Sequence, residues 1–369
     1  MNDIYQEIRP YNDSEVKEAI RRLVSDNEFL NAIIHYRFAN MPKALLPLLK
    51  PLLKQGLLWR WRNVNSIQDV QMQVATYMSH MIERTTDGLT VSGLDKLDPS
   101  QSYLFVSNHR DIAMDPALVN WSLHLQGRDT VRIAIGDNLL KKPCATELMK
   151  LNKSFIVKRS ITAPRELMKA LTQLSGYIHH SLKEDNQSVW IAQREGRAKD
   201  GNDKTDPAIL KMFYMQGKKD KLSFADTMKS LKIVPVSISY ENDPCDIAKA
   251  SELDAKDVQG FYEKSEFEDI DSIVQGIVGQ KRRVHVAFGE LVEADFETPE
   301  ELAQHIDQQI ADHYHLFPVN YIAAGCEHDS ITDDEKQVFH QKLATLNQSI
   351  ADRVTSMYAM PVGKKHPAV

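Results

Sequence analysis

Residues 102–117 read SYLFVSNHRDIAMDPA. The first half, SYLFVSN at 102–108, is a short apolar run rich in β-branched and aromatic residues, which predicts a buried strand. The second half turns polar at once and carries His109, Asp111 and Asp115 into a stretch, 117–125, whose apolar residues recur at helical spacing. A strand that runs through a histidine-bearing turn into a helix places that turn at the carboxyl edge of an α/β sheet, where open sheets of this kind bind their ligands.

Five further apolar runs follow the same plan: TVRIAIG at 130–136, SFIV at 154–157, SVWIAQ at 188–193, IVPVSISY at 233–240 and RVHVAFG at 283–289. Helix-period residues at 164–182 lie between two of them, with Pro164 where a first-turn proline is tolerated. Alternation of strand and helix predicts an α/β fold, a mixed, largely parallel sheet covered by helices. Outside this block the chain reads as helix. Asn12-Asp13-Ser14-Glu15 marks a helix start, and Thr298 with Glu301 and Thr332 with Glu335 have the capping-box form. The expected organisation is a helical N-terminal region at 1–88, an α/β catalytic domain at 89–297 and C-terminal helices at 298–369. The acidic, weakly periodic segment 243–280 has no clear assignment.

Composition narrows the function. The 369 residues are 42% hydrophobic and 26% charged, ordinary values for a folded globular chain. A net charge of -6 lacks the basic excess of a nucleic-acid binder, so no nucleic-acid partner is expected and any anionic ligand must be met locally. Cys144, Cys245 and Cys326 are too scattered for a disulfide framework or zinc site, which fits a reducing cytoplasm. No apolar run approaches the roughly 20 residues that span a bilayer. One stretch, PKALLPLLKPLLKQGLLWRWR at 42–62, combines leucines, tryptophans and Lys43, Lys50 and Lys54 at helical spacing. It reads either as a peripheral contact with an anionic membrane or as an ordinary packed helix broken by Pro47 and Pro51. The expected location is cytoplasmic, with the inner membrane surface as the site of any such contact.

The chemistry centres on His109. A neutral imidazole can take a proton from a hydroxyl as that oxygen attacks a carbonyl, and a carboxylate on its other nitrogen would stabilise the imidazolium that forms. Asp111 and Asp115 both compete for that second role. Arg194, Arg197 and Lys199 crowd a turn around Gly196, and Lys158-Arg159 ends another strand. Guanidinium forks match phosphate oxygens in paired hydrogen bonds, so these two strand ends suggest a focused anion site. No phosphate loop, nucleophile elbow, dinucleotide fingerprint or zinc-protease motif is present, and neither a bound metal nor a resident cofactor is expected. The histidines at 179, 180, 313 and 315 read as surface or half-buried.

Four strings in order resemble the motifs of the glycerol-phosphate and lysophosphatidate acyltransferases: SNHRDIAMDPA at 107–117, KSFIVKRS at 153–160, WIAQREGRAKDGND at 190–203 and IVPVSISYE at 233–241. The resemblance implies a phospholipid-biosynthesis O-acyltransferase that uses acyl-CoA or acyl carrier protein as donor substrate. It implies lysophosphatidate as acceptor, or glycerol 3-phosphate as the alternative; a non-catalytic lipid-binding or membrane-tethering protein is the rival of another class. It further implies that His109 and an aspartate form the catalytic pair, and that Lys158, Arg159, Arg194, Glu195, Gly196 and Arg197 surround the acceptor phosphate, Glu195 orienting the arginines. Two departures stand out. Asp115 lies one residue farther from His109 than the family spacing, and the third motif lacks the residue between Gly196 and Arg197. Asp115-Pro116-Ala117 resembles the Asp-Pro-Ala of soluble members and favours Asp115, with Asp111 the alternative.

Overall fold

Each apolar run quoted above forms a strand in the computed structural model, which describes residues 3–37, 46–265 and 268–366. The chain begins with α1 (Asp13–Ser25), α2 (Asn27–Arg37), α3 (Leu46–Arg60) and α4 (Ile67–Thr85), followed by β1 (Thr86–Ser92), β2 (Leu104–Ser107) and α5 (Met114–Leu125). It continues through β3 (Arg132–Gly136), α6 (Pro143–Leu151), β4 (Ser154–Val157), α7 (Pro164–Lys183), β5 (Val189–Ala192), α8 (Pro207–Lys219) and α9 (Phe224–Ser230). Then come β6 (Ile233–Tyr240), α10 (Asp246–Gln259), α11 (Glu268–Val278) and β7 (Arg282–Phe288). The last helices are α12 (Pro299–His313), α13 (Pro318–Ala324), α14 (Asp333–Ala344) and α15 (Gln348–Lys365). Two compact units interleave along the chain, one formed by Met1–Thr76 and Val131–Tyr177, the other by Tyr77–Thr130 and Ile178–Val369.

In the first unit β3 and β4 pair in parallel, Ile133 opposite Ser154. Val16, Ala19, Ile20, Leu23 and Val24 of α1 form an apolar core with Val64 and Leu151, against which Leu57, Leu58 and Trp61 pack. The helix start read at Asn12 is present: the Glu15 carboxylate turns back to accept from the Asn12 amide, 2.8 Å. Lys43 lies outside the described residues. Within the described part of the 42–62 stretch, Leu46–Arg60 is helical despite Pro51, which falls near the start of α3. One side of that helix packs on α1, while Leu52 and Trp59, seven residues apart and hence on one face, remain exposed.

The second unit holds β1, β7, β6, β2 and β5 in that spatial order. β2 is parallel to both β5 and β6, β6 is antiparallel to β7, and β7 is parallel to β1. All residues of β2 and β6 are buried, as expected for strands covered on both faces. Pro235 is tolerated in this central strand because the β7 ladder starts only at Val236, so one side needs no amide donor there. Ser107 sits opposite Ala192 and Val236, which brings the ends of β2 and β5 to one edge and leaves β6 projecting four residues past it.

The unassigned acidic segment 243–280 folds into α10 and α11. β1, absent from the sequence expectation, alternates half-buried and exposed residues and carries an irregularity between Thr86 and Gly88. Thr298 and Glu301 complete their capping box. Thr332 caps α14, but Glu335 is drawn away to Arg282 and Arg283, at 2.6 and 3.0 Å. The C-terminal helices bury Phe317, Val319, Phe339, Val354 and Met357 in a core with Ala250 of α10. Among the described residues no helix is long and apolar enough to cross a membrane.

Candidate active site

At the end of β2, Asn108 grips the projecting part of β6. Its side-chain oxygen accepts from the Ile238 amide at 2.8 Å and its amide donates to the Ile238 carbonyl at 3.0 Å. His109 follows, and its Nδ1 lies 2.8 Å from Asp115 Oδ2. Asp115 is fully buried in the first turn of α5 and accepts three more hydrogen bonds: the Arg110 and Asp111 amides reach Oδ2 at 2.7 and 2.9 Å, and the Tyr240 hydroxyl reaches Oδ1 at 2.8 Å. A carboxylate surrounded by donors is an acceptor toward His109, which assigns the proton to Nδ1 and leaves the Nε2 lone pair without a protein partner among the described residues. Trp190 packs edge-on to the imidazole with 6.0 Å between ring centroids.

Asp111 is in a different position. Its Oδ1 accepts from the amides of Ala113 and Met114 at 2.9 and 2.8 Å, closing the turn into α5, and this turn takes up the longer interval between His109 and Asp115. Its Oδ2 is buried without a hydrogen bond among the described residues and lies against Gly276 of α11 so closely that a Cβ there would sit 2.1 Å from it. Burial, followed by the charge of Asp115, pushes the Asp111 carboxyl up to about 6. Lys281, also fully buried, donates to Thr85 Oγ1 at 3.0 Å and the Gly279 carbonyl at 2.9 Å, and burial lowers it to about 8.

The loop after β5 is sewn to the His109 turn. Gln193 N–H donates to the Ser107 carbonyl and Ala198 N–H to the His109 carbonyl, both at 2.8 Å. Arg110 donates to Asp203 Oδ2 at 2.6 Å; burial opposes its charge, yet Asp203 holds it above its ordinary value. Gly196 adopts φ +74°, a conformation that suits glycine, and stands at the surface beside exposed Glu195. Arg194 is half-buried and has no hydrogen-bond or ion-pair partner among the described residues. Arg197 is only 8% exposed; Nη2 donates to Ser272 Oγ of α11 at 3.2 Å, while Nη1 is buried with no partner among the described residues. Lys199 is occupied by Glu252 of α10.

Lys158 and Arg159 belong to the first unit, at the end of β4. Lys158 pairs with Glu7 at 2.7 Å, and the Arg159 amide donates to Asp137 at 3.0 Å. Sequence reasoning missed Ser272 and the roles of Arg110 and Asp203, all of which meet the site across long stretches of chain. His179 is not at the surface but buried, with Nε2 3.0 Å from the Phe213 carbonyl. Among the described residues no three His, Cys, Asp or Glu side chains are grouped to hold a metal ion.

Residues 88–239, which contain β2, the His109 turn, the loop after β5 and nearly all of β6, match the acyltransferase family. No curated protein matches the chain in sequence. Among solved structures the chain is similar to the 1-acyl-sn-glycerophosphate (LPA) acyltransferase of Thermotoga maritima, at 16% identity and a TM-score of 0.37, over 79% of this chain and 91% of that one. Residues 88–239 of the chain thus form a region similar to the acyltransferase family.

Proposed function

We propose that this protein moves a fatty acyl group from acyl-CoA or acyl carrier protein to the free hydroxyl of lysophosphatidate (1-acylglycerol 3-phosphate). The observation that carries the reading is the His109–Asp115 pair, 2.8 Å apart, with Nε2 unpartnered among the described residues and the Arg197 turn bonded to the His109 backbone. Nε2 takes the acceptor's hydroxyl proton as its oxygen attacks the thioester carbonyl. Asp115 stabilises the imidazolium, the tetrahedral oxyanion collapses, and the departing thiolate receives the proton from His109. The donor is consumed as substrate, so no resident cofactor takes part.

The acceptor phosphate is assigned to Arg194 and Arg197 of the second unit. The unused donors on Arg197 Nη1 support this, because a phosphate oxygen entering beside Ser272 would satisfy them. A lipid acceptor is supported by α11: the helix that carries Ser272 and Gly276 inward turns Ile270, Val274 and Ile277 outward as exposed apolar residues. Leu52 and Trp59 of α3, with Lys50 and Lys54 on the same helix, suit a peripheral contact with an anionic membrane. On this reading residues 89–297 carry the chemistry, 1–88 the membrane contact, and 298–369 buttress the domain.

The test is thiol release by the purified protein from acyl-CoA and acyl carrier protein thioesters, against lysophosphatidate, glycerol 3-phosphate and a neutral lysolipid, with co-sedimentation on anionic vesicles. Release should require lysophosphatidate and fall at least 10²-fold in folded His109→Ala, the order expected for losing a general base. Faster turnover of glycerol 3-phosphate would replace the acceptor. Undiminished release by His109→Ala, or binding without any release, would reject the catalytic reading in favour of a lipid tether.

A further inference from the structure

The acyltransferase family match ends at residue 239, one position before Tyr240. Tyr240 closes β6 and is 4% exposed. Its place follows from register. β2 ends opposite Val236, Asn108 clamps both backbone groups of Ile238, and residue 240 lies two positions farther on the same face of the strand. The hydroxyl therefore arrives beside the first turn of α5 and donates to Asp115 Oδ1 at 2.8 Å. It is the sole protein donor to that oxygen among the described residues, whereas Oδ2 has three.

We infer that Tyr240 is a positioning residue for the His109–Asp115 pair: it holds the Asp115 carboxylate in the plane that aims Oδ2 at Nδ1 of His109. The inference rests on the reading of His109 as the base. Without the phenol, Oδ1 would be a buried charged oxygen lacking a donor, and the carboxylate would regain rotation about its Cβ–Cγ bond. Rotation toward any other donor draws Oδ2 off the imidazole. Burial, followed by the charges of Asp115 and Asp111, raises the Tyr240 phenol well above its ordinary value, so it remains a proton donor at neutral pH. It touches neither reacting group and acts only through Asp115.

Tyr240→Phe removes one oxygen and keeps the ring. Thermal melting alone cannot decide the role, since any buried tyrosine that loses its partner destabilises the fold. The deciding readouts are kinetic. In thiol release with lysophosphatidate, kcat should fall on the order of tenfold, the scale of a hydrogen bond to a charged group, while KM for the acceptor stays within about twofold. In an Asp115→Asn background the same substitution should cost less than about threefold, because no charge remains to be positioned. An unchanged kcat, a rise in KM alone, or equal losses in both backgrounds would overturn the inference. His109→Ala, run alongside, separates the two ideas: if it is inactive and Tyr240→Phe is normal, only the Tyr240 role fails; if His109→Ala is active, the base assignment itself fails.

Discussion

Asp115→Asn isolates charge from geometry at the catalytic turn. Oδ2 receives three donors, from His109, Arg110 and Asp111, and Oδ1 receives one from Tyr240. An asparagine must keep its oxygen where three donors converge and place its amide opposite Tyr240, whose phenolic oxygen can accept. The turn, the ring orientation and the Nδ1–H tautomer of His109 are thereby retained. What disappears is the negative charge facing the imidazolium. Two charges on the order of 4 Å apart at an effective dielectric constant of about 20 interact by about 4 kcal/mol, roughly 10³-fold in rate. The asparagine carbonyl dipole recovers part of this, so kcat should fall about 10²–10³-fold, with acceptor KM within about threefold. The assay is steady-state thiol release at saturating donor, with circular dichroism to verify the fold. Asp111→Asn is the matched control; its carboxylate serves the turn, and its loss should stay below about threefold. An Asp115→Asn enzyme within tenfold of the parent, or an Asp111→Asn enzyme the more damaged of the two, would refute the assignment.

Arg197→Ala should raise KM for a phosphorylated acceptor by about tenfold or more while KM for the acyl donor holds, and Arg197→Lys should recover only part of it, since a point charge does not reproduce the guanidinium fork; equal changes for donor and acceptor would remove Arg197 from the acceptor site. Asp111 also sets a pH dependence. Its folded value near 6 lies above the ordinary 3.8, so the native state binds the extra proton between these values, and its contribution is most favourable below about pH 4 and is lost as pH rises through 6. The loss amounts to at most about 3 kcal/mol. Urea melts from pH 4 to pH 7 should therefore show Asp111→Asn gaining stability relative to the parent as pH rises, and a constant difference would contradict the burial argument.

The elements that the sequence predicted correctly are those whose signal is local. β2, β4 and β6 are short, bounded apolar runs, and the two threonine caps lie beside the helices they start. α11 was not legible because its apolar residues do not mark a core face: Ile270, Val274 and Ile277 point outward, while the inner face is made by Ser272 and Gly276, which carry no hydrophobic signal. β1 was hidden by its exposed positions and by a boundary that passes directly from α4 into the strand.

The aspartate ambiguity had a different origin. Spacing alone left Asp111 beside Asp115 as a candidate partner for His109; the Asp115-Pro116-Ala117 string favoured Asp115, and the three-dimensional turn shows why. Once Oδ1 of Asp111 is used by the amides of Ala113 and Met114, the chain between His109 and α5 has a fixed path, and Asp115 is the carboxylate that faces the imidazole. Tyr240 is harder still, since no local pattern near Asp115 anticipates a partner 125 residues downstream. Yet its position is determined by two facts that were individually readable, an asparagine before the histidine and a strand long enough to outrun its neighbour. Their combination became visible only when β6 was found beside β2 and Asn108 fixed its register at Ile238. A site of this kind is encoded less in its motif than in the strand order that decides which distant side chain arrives behind it.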